Sequence, residues 1–135
     1  MPKPERPAIV ADRRKFPRVG LAVSVDLVGP QGGVWAVEST DISRGGLQVR
    51  CSRETGLALV RECGRTAPNV ADRYLGVRLG LDAAAGAPKR LAAQARIVYA
   101  RPGPDAYHIV GLEFVTFEGD SYEQLQQYIV ECLRY

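Results

Sequence analysis

Hydrophobic and polar residues alternate in six separate stretches of the chain, and this two-residue period is typical of half-buried β-strands. In the third stretch, Leu47, Val49 and Cys51 alternate with polar residues. Gly111, inside the sixth stretch, indicates a bulge or the close approach of another group. The pattern predicts six strands, over residues 22–29, 34–40, 45–52, 75–81, 90–100 and 107–117.

The hydrophobic period changes near the end of the chain, where a helix is predicted. Asp120 and Glu123 have the spacing of a helix N-cap and its partner. Apolar residues then recur at helical spacing: Tyr122, Leu125, Ile129 and Cys132 or Leu133. A briefer helical period over residues 53–63 predicts a second, short helix that ends in a loop.

Six strands with short turns and a terminal amphipathic helix predict a mainly β protein. We expect an antiparallel sheet curled into a small barrel, because closure removes exposed strand edges. The 135 residues are enough for one hydrophobic core and too few for two. Three prolines in the first seven residues indicate a flexible leader over 1–11, and a single domain is predicted over 12–135.

The composition is that of a globular protein, but its positive charge is concentrated at the front. The chain is 46% hydrophobic and 24% charged, which disfavours wholesale disorder. Residues 1–20 carry six basic and two acidic side chains, whereas the remainder carries 12 basic and 13 acidic ones. A local anion site therefore fits better than a broad nucleic-acid-binding face, so nucleic acid is a disfavoured partner.

The cysteines and the hydropathy pattern indicate a cytoplasmic protein. Cys51, Cys63 and Cys132 lack CxxC spacing, and their odd number leaves one unpaired, so all three are expected to be buried thiols. No apolar run approaches the roughly 18 residues of a membrane span, and the start lacks the apolar centre of a secretory signal. Membrane insertion is not expected.

The sequence offers little for catalysis. Its single histidine, His108, lies in a predicted strand, and an ordinary strand histidine is favoured there over a general base. No nucleophile elbow, no second metal ligand at helical or turn spacing and no glycine-rich phosphate loop accompanies it. The prediction is a protein that is not an enzyme and holds neither a metal nor a resident cofactor.

A basic arm and a glycine-containing turn carry the candidate chemistry. Arg13, Arg14 and Arg18 lie on a segment that Pro17 keeps out of the helical conformation. Arginine forks can hold phosphates in a bidentate manner, address guanine edges or stack on a purine. The stretch DISRGG, residues 41–46, adds short polar side chains and glycines that expose backbone amides. Together they predict nucleotide binding.

The order of these features resembles the PilZ domain, a bacterial receptor module for cyclic di-GMP. The RxxxR arm of that family is matched by Arg14 and Arg18. Its DxSxxG turn is matched by Asp41, Ser43 and Gly46. A GLEF stretch stands in the sixth predicted strand and a helix closes the chain, so the resemblance covers nearly all of residues 12–133.

This resemblance implies a six-stranded barrel whose surface binds cyclic di-GMP. The arm arginines would hold phosphates and guanine, while Asp41 and Ser43 would contact a guanine base. Tyr99 is similar to an aromatic position that stacks on guanine in some members, with ordinary strand surface as the alternative. Arg13 stands where an arginine accompanies two intercalated ligand molecules in the family, which implies up to two molecules per chain; a solvated charge is the alternative.

The mobile arm implies a switch in which the ligand bridges arm and barrel and orders residues 12–20. With no second domain expected, the signal would pass to an unidentified effector protein. The alternative is a barrel-type interaction domain that binds nucleic acid or protein through its arm without a nucleotide messenger. That alternative predicts salt-sensitive polyanion binding that is indifferent to Ser43→Ala. Residues 53–74, longer than a plain turn, are a candidate partner surface.

Overall fold

The structure is a computed structural model that describes residues 16–81 and 89–133. Its strands are β1 (Val19–Gly20), β2 (Ser24–Val28), β3 (Val34–Ile42), β4 (Gly46–Ser52), β5 (Leu75–Leu81), β6 (Lys89–Pro102) and β7 (Tyr107–Phe117). Its helices are α1 (Arg53–Cys63) and α2 (Ser121–Leu133), with short 3-10 turns at Val70–Arg73 and Pro104–Ala106. Both predicted α-helices are therefore confirmed.

Six of these strands form a closed antiparallel barrel. The strand order is β3-β2-β5-β6-β7-β4, and β4 pairs back onto β3. The predicted mainly β architecture, a six-stranded barrel with a C-terminal helix, is confirmed. The two-residue β1 was not predicted, because it is too short to show a period. It pairs with β3 through Val19 opposite Ile42 and Gly20 opposite Asp41.

A buried serine joins β1 to β2 along the edge of β3. Ser39 is 1% exposed, and its hydroxyl accepts the amide of Val23 at 3.0 Å and donates to the carbonyl of Leu21. These bonds satisfy a buried hydroxyl where the chain leaves the regular ladder. As a result, β1 continues the line of β2 and carries the arm directly into the barrel wall.

Buried residues from all six strands form one hydrophobic core, and both helices add side chains to it. The largest side chains with almost no exposure include Leu27, Ile42, Leu47, Leu91 and Val110. Helix α1 buries Leu59 and Cys63, and α2 buries Leu125 and Ile129. Among the described residues, neither helix has the length and apolar character needed to cross a bilayer.

The three cysteines differ in their surroundings. Cys51 and Cys63 are buried and free, as predicted, but Cys132 is exposed. The expectation of three buried thiols was therefore wrong at Cys132, because α2 buries Leu125 and Ile129 while its last turn faces solvent. Removal of the thiols from water raises the pKa of both Cys51 and Cys63.

Candidate functional site

The base of the arm and the DISRGG turn contact each other on the outer face of the barrel. Arg18 Nη1 donates to Asp41 Oδ1 at 2.7 Å, and the two side chains keep 21% and 26% of their exposure. The pairing of β1 with β3 produces this contact, since it sets Gly20 opposite Asp41. Two motifs that lie 23 residues apart in the sequence therefore share one surface.

Phe16 strengthens the contact between arm and turn. A Cβ added to Gly45 would lie 2.9 Å from the Phe16 ring, so the ring rests on backbone that only glycine leaves open. The Arg44 guanidinium carbon lies 4.9 Å from the ring centroid, within cation–π range. Phe16 was not among the predicted site residues, because a single apolar residue in a charged arm gives no pattern.

Ser43 organises the turn from inside. Its hydroxyl oxygen accepts the amides of Gly45 and Gly46 at 3.1 and 3.2 Å, and the residue is 6% exposed. The Ser43 amide in turn donates to the carbonyl of Gly46 at 2.8 Å. In this structure the serine fixes the backbone that follows Asp41. Its predicted contact with a guanine stays a prediction.

Gly46 is required by the approach of two strands. It begins β4 and lies opposite Glu113 of β7. A Cβ at this position would collide with the carbonyl oxygen of Leu112, which is backbone and cannot rotate away. The final glycine of the DxSxxG motif therefore has a packing reason in this chain: it lets the turn enter the barrel wall.

Tyr99 lies across a glycine on the same outer face. A β-bulge between Ile97 and Tyr99 shifts the register of β6, and Tyr99 then stands opposite Gly111. A Cβ on Gly111 would collide with the Tyr99 ring, so the bare backbone is what admits the ring. The Arg101 guanidinium carbon lies 5.8 Å from the ring centroid. The close approach predicted at Gly111 is confirmed, and the approaching group is Tyr99.

Gln48 connects this ring to the turn. The Tyr99 hydroxyl donates to Gln48 Oε1 at 2.5 Å, and Gln48 Nε2 donates to Thr40 Oγ1 at 2.9 Å. The backbone of Gln48 lies opposite Asp41 on one side and Gly111 on the other. Gln48 could not be predicted from the sequence, because it has the pattern of any outward-facing polar strand residue; its place in the site follows only from the strand register.

The structure thus brings most of the predicted site residues together. A row of side chains is formed by Arg18, just before β1, and by Asp41 of β3, Gln48 of β4 and Tyr99 of β6, and it passes over Gly111 of β7. Arg13 and Arg14, the other two predicted contacts, lie outside the described residues.

His108 lies under helix α1 rather than in this row. A Cβ on Gly56 of α1 would come within 2.8 Å of the His108 Cβ, which shows how closely the helix packs on β7. The half-buried ring is thus part of a helix–strand contact. Within residues 16–81 and 89–133, no group of three or more His, Cys, Asp or Glu side chains is arranged to hold a metal ion.

A closed six-stranded barrel with an arm-and-turn surface defines a small β-barrel module. The family model of the PilZ domain matches residues 12–131, and the chain belongs to that family. The RxxxR arm and the DxSxxG turn both lie within the matched residues.

Solved structures show the same fold at low sequence identity. The Bacillus subtilis inhibitor of motility MotI/DgrA is 18% identical with a TM-score of 0.67, over 90% of this chain and 52% of that one. Borreliella burgdorferi PlzA, in complex with c-di-GMP, is 8% identical with a TM-score of 0.58, over 96% and 57%. The c-di-GMP-bound PilZ domain of Escherichia coli YcgR is 14% identical with a TM-score of 0.57, over 90% and 92%.

The extent of these matches differs. This chain spans about half the length of MotI/DgrA and PlzA, and nearly the whole of the YcgR domain. No curated protein sequence matches the chain. The likeness to the solved structures is therefore a likeness of fold alone.

Proposed function

We propose that this PilZ domain is a cytoplasmic bacterial receptor for cyclic di-GMP and acts as an adaptor rather than an enzyme. The observation that carries the proposal is the Arg18–Asp41 contact, through which the arm and the DxSxxG turn occupy one face of the barrel. Further support comes from two proteins of the same fold, PlzA and the YcgR domain, whose structures contain c-di-GMP.

The chemistry of the row matches the parts of this ligand. Arg18 uses Nη1 for Asp41 and keeps its other N–H groups for a phosphate or for guanine N7 and O6. The second carboxylate oxygen of Asp41 is a suitable acceptor for the N–H groups of a guanine edge. Tyr99, whose ring lies close against Gly111, offers an aromatic ring for base stacking, which contributes about 1–3 kcal/mol per base.

The arm completes the site in this proposal. Arg14 joins Arg18 on the ligand, and binding holds residues 12–20 on the barrel, where Phe16 and Arg18 already contact the turn; Arg13 admits a second, intercalated ligand molecule. Charge-assisted hydrogen bonds contribute about 1.5–3 kcal/mol each, and after the ordering cost a net of roughly −8 kcal/mol corresponds to micromolar affinity. The ordered arm is then the signal that an effector protein recognises.

Isothermal titration with cyclic di-GMP tests the proposal. The parent chain should release binding heat, and Arg14→Ala/Arg18→Ala should weaken binding at least about 100-fold, since two charge-assisted contacts are lost. Arg78→Ala/Arg90→Ala is the matched control, because it removes two exposed arginines from another part of the barrel surface. Absence of heat from the parent, or equal weakening by both variants, contradicts the proposal.

Three further measurements test the number of ligands, the polyanion-binding alternative and the ordering of the arm. A stoichiometry near two supports the role of Arg13, and one ligand per chain removes it. Binding of a single-stranded oligonucleotide with the same affinity as cyclic di-GMP, lost steeply with added salt, would favour the polyanion-binding alternative. Limited proteolysis with and without ligand reports on the arm: ordering should protect the bonds after Arg13 and Arg14.

A further inference from the structure

A cleft of about 380 Å³ lies on the surface next to the arm-and-turn site. It is lined by Arg65, Val70, Arg73, Tyr74 and Arg96. Four of these residues belong to the long connection between β4 and β5, and the fifth belongs to β6. The lining contains three arginines and no acidic residue. Positive charge is therefore far more concentrated in the cleft than over the whole chain, whose net charge is +3.

The fold holds these arginines on ordered backbone. Arg73 Nε donates to the carbonyl of Ala67 at 2.9 Å, which fixes the guanidinium and leaves its terminal amino groups available. The 3-10 turn that carries Arg73 is capped by Asn69, whose side chain accepts the amide of Ala71 at 3.1 Å. The cleft is therefore a structured surface, so a ligand would bind without having to order the loop.

The positive charges in the cleft are only partly compensated. Arg96 pairs with Glu113 at 2.6 Å, but the two side chains are 53% and 47% exposed. Ion pairs that open to solvent contribute about 0–1 kcal/mol, so an incoming carboxylate can share or replace Glu113. Within the part of the chain that the structure describes, Arg65 and Arg73 have no ion-pair partner.

We propose that this cleft docks an acidic segment of a partner protein. Its carboxylates would be held by Arg65, Arg73 and Arg96 through charge-assisted, bidentate contacts. Val70 is 58% exposed and lies beside Tyr74, so the same cleft offers an apolar contact that a peptide side chain can use. A bare inorganic anion gains nothing from that apolar part, which is why a peptide fits better.

The position of the cleft couples it to the arm-and-turn site. Glu113 lies opposite Arg96 on one side and opposite Gly46 of the DxSxxG turn on the other. A single residue thus separates the turn from the docking cleft. That the docked protein is the signalling partner rests on the proposed function. Docking itself requires no cyclic di-GMP.

An NMR titration of the ¹⁵N-labelled full chain tests the docking surface. The probe is an acetylated hexapeptide of alternating leucine and glutamate, and its counterpart has glutamine in place of glutamate. The glutamate peptide should shift the amide resonances of Val70, Tyr74 and Arg96, and the glutamine peptide should not. Inorganic phosphate and oligothymidylate, each at the same concentration, show whether a bare anion or a nucleic acid suffices.

Two variants give the quantitative test. Arg65→Gln/Arg73→Gln should weaken peptide binding by at least about tenfold, because two charge-assisted contacts are lost. Arg65→Gln alone should weaken it less and leave the fold intact, since Arg65 is exposed and makes no structural hydrogen bond among the described residues. The matched control, Arg78→Gln/Arg90→Gln, removes the same charge elsewhere and should change binding by less than about twofold.

Several outcomes would overturn docking at the cleft: equal weakening by the control, shifts centred on Arg18 and Asp41, or the same shifts with phosphate or oligothymidylate. Each variant is also titrated with cyclic di-GMP. Retained messenger binding with lost peptide binding supports two separate surfaces. A parent chain that binds the peptide but no cyclic di-GMP contradicts the proposed function alone, and the reverse contradicts this inference alone.

Discussion

The ring of Tyr99 rests on the bare backbone of Gly111, and its hydroxyl reaches across to Gln48 Oε1 at 2.5 Å. Support from below and a hydrogen bond at the tip leave the side chain few alternative rotamers. A ring that is already fixed loses little conformational entropy when a base stacks on it. Gly111 and Gln48 therefore preorganise the Tyr99 ring for base stacking.

Gly111→Ala should disturb this surface from a position that is not itself a proposed ligand contact. The added Cβ collides with the Tyr99 ring, so the ring must leave its place and the bond to Gln48 breaks. We expect a lower melting temperature and a loss of cyclic di-GMP affinity of about 5- to 100-fold, the range set by base–aromatic stacking. Gly33→Ala is the control, since its nearest neighbour atom would be 3.9 Å away.

A double-mutant cycle shows whether the collision is the cause. Tyr99→Ala removes the obstructing ring, so Gly111→Ala in that background should cost much less stability than it does alone. Strictly additive melting-temperature changes would mean that Gly111 matters for another reason, such as the pairing of its backbone with Gln48.

The fold was largely predictable because most of the barrel strands show a two-residue period of buried and exposed residues, which is clearest in β4. Leu47, Val49 and Cys51 face inward and the intervening residues face outward, as the period required. The part that was missed, β1, is a two-residue strand held by β3 and by the buried Ser39. Because β1 forms only by pairing with β3, no local sequence pattern predicts it.

Site residues that belong to a sequence motif could be predicted, whereas site residues that are placed by strand register could not. Arg18 and Asp41 were expected to cooperate, and they are in contact. Gln48 and the ring of Phe16 were not found, because each acquires its position only after β4 pairs with β7 or the arm folds onto Gly45. The strand register places outward-facing residues, which have no distinctive sequence pattern, next to the motif.

Asp41→Asn should separate binding from stability. The substitution keeps the shape of the side chain but removes the charge that Arg18 contacts. Because both side chains are partly exposed, unfolding in urea should show a loss of no more than about 1 kcal/mol. Cyclic di-GMP affinity should fall more, at least about tenfold, since a charged acceptor is lost.

Glu38→Gln is the comparison for Asp41→Asn. It breaks the Arg50–Glu38 pair, which is more exposed and lies in the same barrel wall. This variant should change neither stability nor ligand affinity measurably. If the two variants behave alike in the ligand titration, Asp41 has no special role in binding.

Ser43→Ala should weaken the turn. Its buried hydroxyl oxygen is the acceptor for the amides of Gly45 and Gly46, and both donors lose that bond. The expected loss is about 1–3 kcal/mol in the free energy of unfolding, measured by urea denaturation. Ser24→Ala, at an exposed strand position, is the control and should be nearly neutral. A polyanion-binding arm would keep its affinity in Ser43→Ala, whereas a cyclic di-GMP receptor should lose it.

Cys63 should make the stability of the protein fall at high pH. The thiol is fully buried and donates to the carbonyl of Leu59 at 3.2 Å. Burial, with a smaller effect from the charge of Glu62, raises its pKa from 9.0 to about 11. Between these two values the unfolded chain has lost a proton that the folded chain keeps. The free energy of unfolding therefore decreases as the pH rises from about 9 to about 11.

Cys63→Ser isolates this contribution, because a serine hydroxyl keeps a donor for Leu59 but does not titrate in that range. Tyrosines and lysines also ionise there, so the quantity to measure is the stability difference between parent and variant, by urea denaturation at several pH values. As the pH rises from about 9 to about 11, the free energy of unfolding of the parent should fall relative to that of Cys63→Ser. Cys132→Ser, at an exposed position, should behave like the parent. Parallel curves for the parent and Cys63→Ser would show that the thiol ionises equally in both states.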